Sequence, residues 1–416
     1  MRRPCLLSFV ALVFVPGIAW PQGNPVGPEF QINIYNTAYQ QAPAVGANPS
    51  GGFVVVWSSW EQDGSVGGVI GRRYADSGVP VGPEFLVNTY TTSFQGSPAV
   101  GADASGNFVV VWASFEDRSF TGVSGQRYAS TGAPLGTEFR INTYTTDFQG
   151  DPGVSSDASG NFIVVWTSAR GVSDTDVIAR RYASTGVPLS PEFSVNTYTP
   201  GVQAFAVVAS DPSGNFVVAW QSANQDDLGY GIFGQRYAST GSPLGPEFRV
   251  NTYTTNSQTR PAIASDVAGN FVVVWESLVQ DAGGQGVFGQ RFSAAGDPLG
   301  SEFAITTYTT NSQRSPSVGL DASGNFVVAW MSNTQDGSVA GVFGQRYANT
   351  GPPLGPEFRV NSYTTEAQME PSVSADAAGN FVVVWQSYLQ DGSGVGVFGQ
   401  RYSPIVPVEL MGFDVE

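Results

Sequence analysis

The sequence lacks the residues on which most enzyme chemistry depends. Its 416 residues include no His and no Lys, and Cys5 is the only Cys. These absences exclude Ser-His-Asp and Cys-His nucleophiles, an imidazole general base, a Schiff-base lysine and a His/Cys zinc site. An intrachain disulfide is excluded as well. Any catalysis would have to use Asp, Glu, Tyr, Ser, Thr or Arg, and no motif indicates a cofactor.

Positive charge is scarce. The 18 basic residues, all Arg, oppose 34 Asp and Glu, which gives a formal net charge of −16. Removing Arg2 and Arg3 with a leader would bring the charge to about −18 (16 minus 34) at reference pKa values. Such a surface repels phosphate backbones and anionic membranes. We therefore expect no nucleic-acid partner.

Long apolar runs are confined to the N-terminus. Arg2 and Arg3 precede the apolar run from Cys5 to Val15, and the small residues Gly17 and Ala19 follow it. This pattern predicts a signal peptide over residues 1–19, because the apolar run is too short to span a bilayer. We expect an exported protein, extracellular or periplasmic, that is monomeric and not inserted in a membrane.

A single repeated unit fills the rest of the chain. The string FVVVW, or a close variant, recurs at intervals of 54 or 55 residues and ends each time in Trp: Trp57, Trp112, Trp166, Trp220, Trp275, Trp330 and Trp385. Internal repetition at this period is typical of propellers and solenoids. No linker separates the units, so residues 24–403 are expected to form one domain, followed by a tail over residues 404–416.

Each unit contains four strand-like runs, which we letter A to D. In the second unit they begin at Pro98, Asn107, Val123 and Glu138, with Gly-, Pro- and Asp-rich turns between them. Side chains alternate along a strand, so FVVVW is apolar on both faces and must be covered on both. Four-stranded antiparallel sheets stacked as blades satisfy this requirement, and they bury the repeated Trp side chains.

The two ends of the chain predict a closed ring. A lone D run over residues 28–36 opens the repeat region, and the last unit has A, B and C runs without a D run. The first D run therefore completes the last blade. The predicted fold is an all-β, seven-bladed β-propeller of four-stranded antiparallel blades, closed by the N-terminal strand.

An Arg ends each C run and a Glu begins each D run, 11 residues later, as in Arg73 and Glu84. Arg401 and Glu29 are left over at the two ends. The pattern predicts a repeated cross-strand ion pair, with Arg401 and Glu29 meeting where the ring closes. Exposed pairs of this kind contribute only about 0–1 kcal/mol each.

The layout resembles the secreted bacterial β-propellers over almost the whole repeat region. The A–B turn from Ser155 to Phe162 is partly similar to the Asp-box turn of sialidase-like propellers. Phe162 follows Asp157 by five residues as in that motif, but Gly160 follows by three residues where the motif has two. A simpler interpretation is that the Asp side chain begins a hairpin turn.

The B–C and D–A loops vary between units, whereas the A–B and C–D turns hardly change. A binding face is therefore predicted at the B–C and D–A end. Aromatic side chains in these loops are confined to neighbouring units, where they either bind a ligand or fill gaps between loops. The predicted ligand-binding residues are Tyr39, Trp60, Phe94, Phe115, Phe148 and Tyr388.

Acidic residues in the B–C loops leave two further alternatives. Five loops carry Gln-Asp, as at Gln62 and Asp63, which favours turn chemistry over calcium because one Asp per loop is too few ligands. Carboxylates near the aromatic residues (Glu61, Glu116 and Asp117), together with the unusual Glu276 after Trp275, would suit a two-carboxylate glycosidase. The near-identical units instead favour a non-enzymatic binding scaffold, with a glycan or another extracellular protein as its partner.

Overall fold

The computed structural model describes residues 24–115, 120–169, 171, 174–226, 229–281 and 283–404. The predicted signal peptide and residues 405–416 of the predicted tail lie outside these ranges. Within them, seven four-stranded antiparallel sheets follow one another, and no helix is long and apolar enough to cross a membrane. The predicted seven-bladed β-propeller is confirmed.

Strand A is the innermost strand of each blade, since each A strand contacts the A strands of the two adjacent blades. These strands begin at a buried Gln and line a central channel. Their bounds are Gln40–Ala47, Gln95–Ala102, Gln149–Ser156, Gln203–Ser210, Gln258–Ser265, Gln313–Leu320 and Gln368–Ala375.

Strand B carries the FVVVW repeat and is buried almost throughout, with each repeated Trp at most 1% exposed. Its Trp and alternating Val side chains pack between adjacent sheets in seven separate clusters, as the two apolar faces predict. The bounds of strand B are Phe53–Ser59, Phe108–Ser114, Phe162–Ala169, Phe216–Ala223, Phe271–Leu278, Phe326–Asn333 and Phe381–Tyr388.

Strands C and D complete the blades. The C strands are Gly68–Tyr74, Gly122–Tyr128, Thr175–Tyr182, Tyr230–Tyr237, Gln285–Phe292, Ala340–Tyr347 and Val395–Tyr402. The outer D strands pair over only two residues, at Phe30–Gln31, Phe85–Leu86, Phe139–Arg140, Phe193–Ser194, Phe248–Arg249, Phe303–Ala304 and Phe358–Arg359. Such short outer strands present little unpaired edge to other chains.

The ring closes as predicted. Phe30 pairs with Gly399 and Gln31 with Phe398, so the first strand is the D strand of blade 7. The side chain of Asn33 accepts a hydrogen bond from the backbone N–H of Val397 at 2.7 Å. Blade 1 also contacts blade 7 through its A strand, where Val45 N–H donates to Ser372 Oγ at 3.2 Å.

The predicted Arg–Glu ion pairs are wrong. Each of these Arg side chains reaches the C–D turn of the next blade and donates to backbone carbonyls there, as Arg73 does to Ser130 O at 2.6 Å. Each Glu accepts from the end of the preceding D strand, as Glu138 does from Thr89 N at 2.5 Å. At the closure, Glu29 accepts from Ser362 N at 2.6 Å, and Arg401 donates to Asp76 and Ser77 carbonyls. These groups join neighbouring blades.

The A–B turns confirm the simpler interpretation of their Asp residues. In blade 3, Asp157 Oδ1 accepts from Ser159 N at 2.8 Å and Asn161 N at 2.9 Å. Its Oδ2 accepts from Asn161 Nδ2 at 2.8 Å. Six such Asp residues surround one mouth of the channel, where they line a cavity of ≈ 260 Å³. Their carboxylates are used within the turns.

Candidate functional site

The two variable positions that carry the aromatic residues are bonded to each other in every blade. The residue three positions after the repeated Trp donates its N–H to the carbonyl of the residue before the strand A Gln. In blade 1 this bond joins Trp60 N to Tyr39 O at 2.9 Å, and in blade 2 it joins Phe115 N to Phe94 O at 3.1 Å. Side chains far apart in sequence are thereby held side by side on one face of the disc.

Four of the six predicted residues form one continuous row across blades 1 and 2, here called the aromatic strip. The ring centroids are 6.4 Å apart for Tyr39 and Trp60, 6.1 Å for Trp60 and Phe94, and 6.2 Å for Phe94 and Phe115. The outer rings are the more open, with Tyr39 49% and Phe115 44% exposed. Trp60 and Phe94 are half-buried between them.

The other two predicted residues lie apart from the strip. Phe148 is exposed and its ring folds over Gly150, where a Cβ would come within 2.3 Å of it. Tyr388 packs in a separate cluster with Met331 and Met369. The structure therefore brings together four of the six residues, and their role in ligand binding stays a prediction. Phe120, which the sequence analysis did not select, is another exposed ring of the B–C loop in blade 2.

The Gln-Asp pairs of the B–C loops are held by the protein itself. Gln62 Nε2 donates to Glu84 Oε2 at 2.9 Å, and Gln280 does the same to Glu302 at 2.6 Å. Asp226 Oδ2 accepts from Asn251 Nδ2 at 3.0 Å. Among the described residues no group of three or more His, Cys, Asp and Glu could hold a metal. Asp63 Oδ1 also accepts from Ser65 N at 2.9 Å, which is the contact of an Asp that begins a turn.

Of the carboxylates considered for the alternative glycosidase function, Glu116 and Asp117 lie outside the described residues, and Glu61 is exposed. Glu276 is different, because it is only 3% exposed. Its Oε1 accepts from Ser315 N of the next blade at 2.7 Å, and its Oε2 accepts from Gln285 Nε2 at 3.0 Å. Burial raises the pKa of this carboxyl, while the Ser315 N–H and the nearby Arg260 act in the opposite direction.

In other blades, neutral residues make the hydrogen bond that Glu276 makes to the backbone N–H of Ser315. Gln221 Oε1 accepts from Arg260 N at 3.1 Å, and Gln386 Oε1 accepts from Ala42 N at 3.0 Å. Ser58 Oγ plays the same part for Ser97 N at 3.1 Å. The position after the repeated Trp therefore secures strand A of the next blade, and Glu276 adds a negative charge to that structural role.

A cluster of charged side chains lies near the beginning of the A strands, at the mouth of the channel opposite the A–B turns. Arg260 of blade 5 approaches Glu276 of its own blade and Glu370 of blade 7, with N–O distances of 4.0 Å in both cases. Its guanidinium carbon is also 5.8 Å from the centre of the Phe205 ring of blade 4. Burial raises the pKa of Asp151 in blade 3, and the charge of Arg260 opposes that shift. Blades 3, 4, 5 and 7 thus contribute side chains to one cluster.

The sequence matches no protein-family model and no curated protein. Solved structures do share the fold. A protein of unknown function from Dyadobacter fermentans has a TM-score of 0.56 at 8% identity, covering 92% of this chain and 99% of that one. A Hadza microbial sialidase has a TM-score of 0.50 at 9% identity, covering 88% and 66%. The leech intramolecular trans-sialidase has a TM-score of 0.50 at 10% identity, covering 90% and 70%. At such identities the similarity concerns the fold alone: this chain is a seven-bladed β-propeller, and the solved structures similar to it include sialidases.

Proposed function

We propose that this chain is an exported, non-enzymatic scaffold that binds glycans on the aromatic strip. The observation that carries the proposal is the continuous row of four rings across blades 1 and 2, with its two outer rings exposed. Sugar rings present apolar C–H faces that stack on aromatic side chains, and a rigid row positions several of them at once. Sialidases of the same fold act on glycans, which supports the ligand class.

Removing either exposed ring of the strip is expected to weaken glycan binding at least about tenfold, the effect typical of truncating an aromatic anchor. Tyr39→Ala and Phe115→Ala are the test variants. Leu278→Ala is the matched control, because Leu278 is exposed at the position in blade 5 that Phe115 holds in blade 2. A glycan array with the repeat region (residues 24–404) measures all three proteins beside the unaltered chain.

The control variant is expected to bind as the unaltered chain does. Equal binding by all four proteins would remove the strip from the site. If the unaltered chain binds no glycan at all, the proposal is contradicted and a protein partner is favoured for this face.

A second candidate function is carboxylate-dependent glycoside hydrolysis, and the observation that favours it is Glu276. A buried carboxyl with a raised pKa suits a general acid, and Glu370 lies on the other side of Arg260 as a potential second carboxylate. Against it, both oxygens of Glu276 already accept hydrogen bonds within the protein.

Glu276→Gln separates the two functions. Burial raises the pKa of Glu276 in the folded protein above its pKa in the unfolded chain. The Glu276 carboxyl therefore lowers the free energy of unfolding as the pH rises above the unfolded-state pKa, and a neutral Gln avoids this loss. Gln221 shows that an amide makes the same backbone bond. We expect the variant to melt at the same temperature or higher at pH 7, with unchanged glycan binding. A hydrolysis of array glycans that the unaltered chain performs and this variant loses would favour the enzyme instead.

A further inference from the structure

One position in strand A has an unusual backbone in all seven blades. The residue two places after the initial Gln has φ between 50° and 52°, at a bulge where strand A shifts its register against strand B. Glycine adopts this conformation with least strain, yet no blade has glycine there. The residues are Ala42, Ser97, Asp151, Phe205, Arg260, Ser315 and Glu370.

The side chains at this position also differ from blade to blade. Blades 1, 2 and 6 carry Ala or Ser, which leave room in the channel. Blades 3, 4, 5 and 7 carry the four residues that we call the channel mouth: Asp151, Phe205, Arg260 and Glu370. The units are otherwise nearly identical, yet four of them carry different charged or aromatic side chains at this strained backbone position. We infer that these side chains have a function.

The groups of the channel mouth keep hydrogen-bonding capacity. The side chain of Arg260 is 50% exposed, and its closest carboxylate oxygens are 4.0 Å away, beyond hydrogen-bond length. Its planar donors are therefore available to a ligand. Glu370 is 47% exposed and offers acceptors opposite them. Phe205, 40% exposed, adds an open apolar ring beside the polar groups.

The mixture of charges selects the ligand class. An anionic ligand would be attracted by Arg260, and by Arg314 near Glu276, but would be repelled by Asp151, Glu276 and Glu370. A cationic ligand would bind the carboxylates but would be repelled by Arg260. A neutral polyhydroxylated ring uses the donors and the acceptors together, stacks an apolar face on an aromatic ring, and meets no repulsion. We propose that the channel mouth is a binding site for a single neutral sugar residue, separate from the aromatic strip.

This site requires neither the aromatic strip nor hydrolysis, and the variants below change no residue of the strip, so their effects are distinct from those of the proposed function. Saturation-transfer difference NMR with methyl glycosides of neutral hexoses and pentoses is the direct measurement. Glucuronic acid and protonated glucosamine serve as charged probes. We expect the unaltered chain to bind at least one neutral glycoside and to bind both charged sugars at least about tenfold more weakly.

Two variants remove the groups that the proposal uses. Arg260→Gln and Phe205→Ala are each expected to weaken binding of the neutral glycoside at least tenfold. Ser97→Ala, at the same backbone position in blade 2, is the matched control and is expected to bind normally. Circular dichroism melts verify that each variant is folded.

Removing two negative charges tests whether charge determines which sugars bind. In the double variant Asp151→Asn, Glu370→Gln, Arg260 remains while two negative charges are removed. The affinity for glucuronic acid relative to the neutral glycoside is expected to rise at least tenfold. The proposal is overturned if no neutral glycoside binds, if Arg260→Gln binds as well as the unaltered chain, or if the charged sugars bind as tightly as neutral ones.

Discussion

Replacing Trp166 by alanine is expected to lower the free energy of unfolding by about 3–5 kcal/mol, the range for truncating a large buried aromatic residue. Trp166 is 1% exposed and packs against Val111 and Ile141 of blade 2 as well as Tyr182 of its own blade. The substitution therefore opens a cavity between two sheets that nothing else fills. It also removes the hydrogen bond from Trp166 Nε1 to Gln149 Oε1, at 3.0 Å.

Two other substitutions separate these contributions. Trp166→Phe keeps most of the packing and loses the hydrogen bond, so a smaller loss of about 1–2 kcal/mol is expected. Trp60→Ala is the control, because Trp60 is half-buried in the loops and lies outside the sheets. Denaturant unfolding followed by circular dichroism measures all three. Equal losses for Trp166→Ala and Trp60→Ala would contradict the assignment of the repeated Trp residues to the core between blades.

The architecture was predictable because its signal is repeated. Seven copies of an apolar strand such as Phe108–Ser114 leave no other way to cover both faces, and the unmatched D run at the N-terminus requires closure. The aromatic strip was partly predictable for the same reason. Comparing units showed which loops hold aromatic residues, although not that Tyr388 and Phe148 would lie apart from the other four.

Partners across strands could not be read from spacing alone. The register that pairs Gly71 with Phe85 places Glu84 opposite Arg72, not opposite Arg73. Side chains of successive residues leave a sheet on opposite faces, so the predicted pair of Arg73 and Glu84 is separated by the sheet. The pairing of strands C and D is offset by one residue from the predicted one, which the sequence does not reveal. This offset determines which blade the Arg and Glu side chains contact.

The channel mouth was missed because it depends on an irregularity. The bulge in strand A interrupts the alternation that identifies a strand, so Arg260 and its counterparts were not assigned to any face. A signal did exist. The position two residues after the Gln that begins strand A holds Asp, Phe, Arg and Glu in different units, although the residue that follows it is Pro in six of the seven units.

Deleting residues 24–36 is expected to have the largest effect on stability, because it removes the outer strand of blade 7 and opens the ring. Ile32 is fully buried, and its burial alone contributes about 1.5–3 kcal/mol. The contacts of Phe30 with Tyr74 and of Asn33 with Val397 would be lost with it. We expect a large fall in the melting temperature and self-association through the exposed third strand of blade 7.

A circular permutant provides the matched control, because it keeps every residue of the strand and changes only the connection. Pro25 bridges to Tyr402 as Pro134 does to Tyr128 in blade 2. Residues 24–36 can therefore follow residue 404 through Thr-Gly, the pair present at Thr131 and Gly132 of that blade, and the new chain begins at residue 37. It is expected to be monomeric and to melt within a few degrees of the unaltered chain.

The comparison of the two proteins distinguishes closure from simple loss of sequence. If pairing between the first and last strands holds the ring, the deleted protein melts at a much lower temperature and self-associates. The permutant stays monomeric and stable, since the same contacts form from the other end of the chain. Melting temperatures measured by circular dichroism, with size-exclusion chromatography for the oligomeric state, give the result. A deleted protein as stable as the permutant would mean that blade 7 does not need its outer strand, and the explanation of how these seven sheets close would then be wrong.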